Sequence, residues 1–171
     1  MDSYDLAIIG SGTAGLSAAI YAARFKLNTI VIGELSGGTI TTTHLVENWP
    51  GLVSVSGLEL AESLRKHVEA NNVRILNDKV ADVRSQSSGK GGGSSGFVLK
   101  TVDGMEFTAK TILFATGTRR RKLDVKGEKE FTNRGVSYCA VCDAMFYKNK
   151  IVAVIGGSDS AAKEALYLTE H

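Results

Sequence analysis

The feature that most restricts what this chain can become is Gly10-Ser11-Gly12-Thr13-Ala14-Gly15, set directly after the apolar run at residues 6–9. Beyond the glycines, Leu16, Ala19, Ile20, Ala23 and Leu27 recur three or four apart, which predicts one buried face of a helix over residues 14–26. A second apolar run at residues 28–32 completes a βαβ unit, the opening of a doubly wound parallel sheet. Each glycine then has its own task. Gly10 permits a tight turn, Gly12 lets a pyrophosphate approach the backbone, and Gly15 allows strand and helix to pack closely. The free amides and dipole of the helix start supply an anion site. Glu34, just past the second strand, is placed to accept from a ribose hydroxyl. The competing reading is a tight turn with no ligand, and the fingerprint alone does not choose between NAD and FAD.

Residues 36–51 form a polar, glycine- and threonine-rich loop holding the only Trp and the only Pro. Ser56 and Glu59 have the spacing of a capping box, and Leu58, Ala61, Leu64 and Val68 extend the helix it opens to about residue 71. A short strand follows at 74–76. Residues 79–110 read as antiparallel, with Val80 and Val83, an apolar run at 97–99, and an Asp103-Gly104 turn before Phe107. The Ser/Gly-rich stretch at 85–96 reads as a flexible loop. Residues 111–115 return to a buried strand that stops at Thr116-Gly117.

A second cycle begins at residues 151–155, which read as a strand as clean as the first. Gly156-Gly157-Ser158-Asp159-Ser160-Ala161 and a helix through Tyr167 follow. One strand and one helix cannot bury their apolar faces without further strands, so the chain is expected to be cut short. Asp159 is read as a helix-start residue, not a catalytic acid.

With 43% hydrophobic and 22% charged residues, the composition is that of a soluble, packed protein. A net charge of +2 gives no argument for nucleic acid or a membrane surface. The run Arg119-Arg120-Arg121-Lys122 is read as a solvated face and not as a phosphate patch. No cationic n-region precedes the short apolar run near the start, so no signal peptide is expected and a cytoplasmic location is.

Only two cysteines occur, Cys139 and Cys142, and a reducing compartment argues against a static staple. Separated by two residues, they can close a small disulfide at a helix start, where amide dipoles favour thiolate. Half a zinc site and two inert thiols are the alternatives. Zinc needs four ligands, and the three histidines show no spacing that completes a set. His44 and His67 are read as ordinary surface residues, and no metal is expected.

Gly37-Gly38, Thr41-Thr42-Thr43, Val46-Glu47-Asn48-Trp49-Pro50-Gly51, Ala115-Thr116-Gly117 and Cys139-Ala140-Val141-Cys142-Asp143 occur in an order and spacing that resembles the low-molecular-weight, bacterial-type thioredoxin reductases of the pyridine nucleotide-disulfide oxidoreductase superfamily. The resemblance runs over essentially the whole chain and points to its N-terminal portion. It implies an α/β, Rossmann-like three-layer FAD/NAD(P)-binding fold, a parallel sheet with an antiparallel β-meander. Residues 1–118 would be part of an FAD-binding domain, and 119–171 the start of an NADPH-binding domain carrying the redox pair.

Carried over residue by residue, the resemblance places FAD on Gly10, Ser11, Gly12, Thr13, Ala14, Gly15 and Glu34. Gly38, Thr43 and Asn48 would lie along the flavin, and Ala115, Thr116 and Gly117 would close the site. NADPH would meet Gly156, Gly157, Ser158, Ser160 and Ala161. Cys142 would face the flavin, Cys139 would exchange with the partner disulfide, and Asp143 would move the proton. Trp49 and Pro50 are read as an anchored turn without redox duty. The implied reaction passes electrons from NADPH through FAD to Cys139–Cys142 and on to thioredoxin or a thioredoxin-like protein. A homodimer and a swivel around residues 117–122 come with it.

Two local departures stand out. Ser158 replaces the middle glycine of the second fingerprint, where a side chain would crowd a pyrophosphate. Ala144 replaces a glycine after the cysteine block, a change expected to be tolerated. Two other readings therefore stay open: a flavin thiol–disulfide oxidoreductase fed by NADH or ferredoxin, and a non-catalytic flavoprotein fragment.

Overall fold

The computed structural model describes residues 1–34, 37–86, 96–118 and 121–170, which divide into two compact units. The first comprises residues 1–47 and 54–118, the second residues 48–53 and those beyond 118.

In the first unit, β1 (Asp2–Ile9), α1 (Thr13–Arg24) and β2 (Thr29–Ile32) make the expected βαβ start. A 3₁₀ turn (Gly38–Thr42), α2 (Gly57–Ala70), β3 (Arg74–Leu76), β4 (Val80–Gln86), β5 (Gly96–Thr101) and β6 (Glu106–Phe114) follow. The sheet runs in the order β3-β2-β1-β6-β5-β4. β1 lies parallel to β2 and β6, and β2 parallel to β3, whereas β4, β5 and β6 are antiparallel. The mixed sheet matches the expected fold class.

The central strands are apolar on both faces because both are covered. Ile8 and Val31 pack with Leu16, Ala19 and Ile20 of α1 and Val68 of α2. Their neighbours Ala7, Ile9, Ile30 and Ile32 pack on the opposite side with Leu99, Phe107 and Ala109.

The capping box at α2 is present in both directions. Ser56 Oγ accepts from the Glu59 amide and Glu59 Oε2 accepts from the Ser56 amide, each at 3.2 Å. The buried face of α2 is Leu60, Ala61 and Val68, while Leu58, which the spacing predicts inside, is exposed. Leu60 takes its place, beside Ala61, the partly buried Leu64 and Val68, which the spacing does predict.

Two expected strands, near Phe107 and at 111–115, are one nine-residue strand, β6. The burial expected of its end is not found, since Leu113 and Phe114 are 38% and 64% exposed. β5 pairs only with Glu106 to Ala109, so among the described residues the rest of β6 has β1 on one side alone. Of the loop expected at 85–96, Ser85, Gln86 and Gly96 belong to strands β4 and β5, and the remainder lies outside the described residues.

The second unit holds α3 (Glu128–Phe131), α4 (Ala140–Asp143), a 3₁₀ turn (Ala144–Tyr147) and α5 (Asp159–Leu168). The strand expected at 151–155 is not formed, and Ile151 and Ile155 are exposed. A parallel strand needs a neighbour for its amides and carbonyls, and no strand exists among the described residues of this unit. The glycine turn and helix after it form as the pattern predicts.

A nucleotide turn and a redox disulfide

The turn after β1 shows why each glycine is there. Gly10 has φ +115°, and a Cβ on it would sit 2.1 Å from the Ala115 carbonyl oxygen. A Cβ on Gly15 would sit 1.9 Å from the Gly10 oxygen. Gly12 differs. Its backbone is extended (φ −77°, ψ −177°), and its Cβ would meet nothing nearer than the Gly38 Cα at 3.8 Å. Among the described residues, none stands close enough to position 12 to exclude a side chain there. Among the described residues no side chain caps α1 and no carboxylate lies in its first turn.

The loop after β2 closes over this turn. The Gly37 amide donates to the Ser11 carbonyl at 2.7 Å, and Gly38, at φ +66°, brings its backbone against Gly12. Thr43 ends the 3₁₀ turn by donating to Ile40 O and accepts from the Gly57 amide at 3.1 Å. On the other side, the Ala115 amide donates to Ile9 O at 2.8 Å, and Thr116 and Gly117 follow, exposed, with Gly117 at φ +66°. Gly10, Ser11, Gly12, Gly15, Gly38 and Ala115 are thus in direct register. Asn48 falls in the second unit and is exposed.

Glu34 is exposed at the end of β2, with Lys79 Nζ 3.8 Å from its carboxylate. Asn77 holds the same turn. With its amide nitrogen oriented toward the two carbonyls, it donates to Glu34 O at 2.6 Å and Gly33 O at 3.3 Å. Neither Asn77 nor Lys79 carries a motif; the parallel, side-by-side pairing of β2 with β3 brings them to Glu34.

In the second unit, Cys139 and Cys142 are joined as a disulfide with a Cα separation of 5.3 Å. Cys139 caps α4, and its Sγ accepts from the Cys142 amide at 3.3 Å. The Asp143 amide donates to Cys139 O at 3.1 Å, so the three residues singled out by sequence lie on one helical turn. Ser137, not singled out by sequence, donates to Asp143 Oδ2 at 2.5 Å and accepts from the Cys139 amide at 3.1 Å. Cys142 is exposed and Cys139 half-buried. Ala144 is buried in ordinary right-handed helical conformation, so its methyl group is tolerated as expected.

Just upstream, buried Glu128 accepts from the amides of Leu123 (2.9 Å) and Asp124 (2.7 Å) and from the Tyr138 hydroxyl (2.7 Å). The Tyr138 hydroxyl foremost, then the Leu123 amide, holds the Glu128 carboxyl below the usual glutamate range. The same bond pushes the Tyr138 phenol up.

The second glycine turn copies the first in backbone. Gly156 has φ +153°, and its Cβ would press on Ala161 at 2.9 Å. Ser158, extended like Gly12 (φ −99°, ψ 168°), starts α5 without capping it, and its hydroxyl lies 3.1 Å from that of Ser160. The two turns differ at this position by one hydroxymethyl group. Among the described residues no group of His, Cys, Asp and Glu could hold a metal ion, and no helix is long and apolar enough to cross a membrane.

The described residues thus hold a βαβ sheet with a glycine turn after its first strand, and a Cys-x-x-Cys disulfide whose first cysteine caps α4. The chain belongs to the pyridine nucleotide-disulphide oxidoreductase family, which it matches over residues 4–171. It is 43% identical over 166 residues to a thioredoxin reductase of Ureaplasma parvum, covering 96% of this chain and 51% of that one. Its structure is similar to that of a thioredoxin reductase from Streptococcus pyogenes, at TM-score 0.85 and 41% identity, covering 98% of this chain and 53% of the other. A thioredoxin reductase from Giardia duodenalis gives TM-score 0.88 at 36% identity, covering 99% and 53%. The chain thus spans about half the length of the relatives it matches.

Proposed function

We propose that this chain is part of an FAD-dependent thioredoxin-disulfide reductase, taking electrons from NADPH to the Cys139–Cys142 disulfide and on to thioredoxin. The observation that carries the reading is the Cys142 amide donating to Cys139 Sγ, in a chain that also holds the Gly10–Gly15 turn. The residues present fit the cofactor. The open side of Gly12 and the uncapped start of α1 suit its pyrophosphate, and Glu34 suits its ribose. Gly38, Thr43, Asn48, Ala115, Thr116 and Gly117 would complete its surroundings. When bound, FAD supplies two-electron transfer between a nicotinamide donor and a dithiol.

The chain's own residues do the rest. In the reduced pair, the Cys139 thiolate attacks one sulfur of the partner disulfide, whose S–S bond breaks with its electron pair on the other sulfur. Cys142 then attacks Cys139 in the resulting mixed disulfide and displaces the second partner sulfur, re-forming Cys139–Cys142; the partner sulfur released first takes its proton from water, so the partner leaves with two thiols. Asp143 takes the proton from Cys142 as it becomes the attacking thiolate, and passes it to the departing sulfur. A homodimer is part of this reading, and a thioredoxin-like protein is its partner.

Ser158 favours a second reading, in which the donor is not NADPH. A hydroxymethyl group at the position where Gly12 is bare would crowd a pyrophosphate. The visible spectrum of the purified chain, followed by anaerobic mixing with NADPH and separately with reduced ferredoxin, tests both. Flavin bands bleached by NADPH support the first reading, and bleaching by ferredoxin alone supports the second. A colourless chain that takes up no added FAD overturns the flavin assignment.

A further inference from the structure

We infer that Ser137 is a positioning residue for the redox pair, tying the Asp143 carboxyl and the Cys139 backbone together through a single hydroxyl. The inference rests on the acid/base role proposed for Asp143. A serine hydroxyl has one proton to donate and two lone pairs with which to accept. Its oxygen lies 2.5 Å from Asp143 Oδ2 and 3.4 Å from Cys139 O. The short contact to a carboxylate takes the proton. The oxygen remains as acceptor for the Cys139 amide at 3.1 Å.

One side chain therefore spans two of the three candidate catalytic residues, fixing Asp143 relative to the backbone of the first cysteine. With Oδ2 held, Oδ1 is the oxygen left to exchange a proton with the sulfurs. Ser137 is itself exposed, so its bonds compete with water and add little to folding. What the hydroxyl contributes is the orientation of the Asp143 carboxylate relative to the Cys139 backbone.

The test uses the full chain, reduced and stripped of reductant, reacting with the aromatic disulfide 5,5′-dithiobis(2-nitrobenzoate). In this step a cysteine thiolate attacks the probe, whose S–S bond breaks to release one coloured thiolate. The second cysteine then releases the other and closes Cys139–Cys142. Two electrons leave the pair and two coloured thiolates form.

Asp143→Asn is expected to slow the second release roughly 100-fold. Ser137→Ala is expected to slow it about three- to tenfold, and Ser137→Thr, which keeps the hydroxyl, to stay within about twofold of the parent. In an Asp143→Asn background, Ser137→Ala is expected to have almost no further effect, which a general loosening of the turn would not produce. An equal slowing in both backgrounds overturns the inference, as does a full rate in Ser137→Ala while Asp143→Asn is slow. A full rate in Asp143→Asn overturns the proposed role of Asp143 itself, and with it this inference.

Discussion

Gly15 lies so close to Gly10 that a Cβ on it would fall 1.9 Å from the Gly10 carbonyl oxygen, whereas a Cβ on Gly12, between them, would touch nothing within 3.7 Å, the nearest atom being the Gly38 Cα at 3.8 Å. Gly15 is therefore demanded by the fold, while the role of Gly12 toward a ligand is the proposal to be tested. Gly15→Ala is expected to destabilise the first unit by about 3 kcal/mol or more, since the clash is with backbone that cannot move aside. Gly12→Ala is expected to keep stability within about 0.5 kcal/mol yet weaken FAD binding roughly tenfold. Chemical denaturation and FAD fluorescence titration separate the two effects. Equal loss of stability in both variants would show that Gly12 is structural.

The Glu128–Tyr138 bond gives the second unit a window in pH. Glu128 titrates below its ordinary value of 4.5, so the anchoring of Leu123 and Asp124 is complete above that value and is lost as pH falls through the lowered one. Tyr138 titrates above its ordinary 10.0, so its donor bond is complete below that value and is lost as pH rises through the raised one. Hydrogen exchange at the Leu123 and Asp124 amides, corrected for intrinsic rate, is expected to show steady protection between these limits. Glu128→Gln is expected to lose roughly tenfold protection at neutral pH. Unchanged protection in that variant would show that the carboxylate is not the anchor.

Ser158 offers a gain of function. If its hydroxymethyl group is what crowds a nicotinamide nucleotide, Ser158→Gly restores the open backbone that Gly12 has. NADPH affinity by equilibrium dialysis is expected to rise by about tenfold, with thermal stability little changed because Ser158 does not cap α5. Equal affinity in serine and glycine forms would remove the ground for an alternative donor.

What could be read from the sequence was what short-range chemistry decides. The approach of Gly15 to Gly10, the Ser56–Glu59 capping box and the Cys139–Cys142 pair each depend on residues within six of one another, and each is in place. Residues 151–155 have strand composition, but a strand is made by its neighbours, and none exists among the described residues of that unit. β6 misled for a related reason. Residues 106–109 pair with β5 and residues 107–114 run along β1, so one strand carries two patterns and reads as two strands. Ser137, Asn77 and Glu128 gave no signal because common polar residues acquire a role only through what the fold sets beside them.

Electron transfer from a flavin to Cys139–Cys142 is the central step of the proposed function, and counting thiols tests it most directly. The full chain is loaded with FAD, freed of excess cofactor and reduced photochemically without added thiol. It is then alkylated under denaturing conditions and weighed. Two alkyl groups, on Cys139 and Cys142, are expected as the flavin absorption returns, because one two-electron transfer converts one disulfide to two thiols. A flavin that stays fully reduced while both cysteines remain unalkylated would contradict the account.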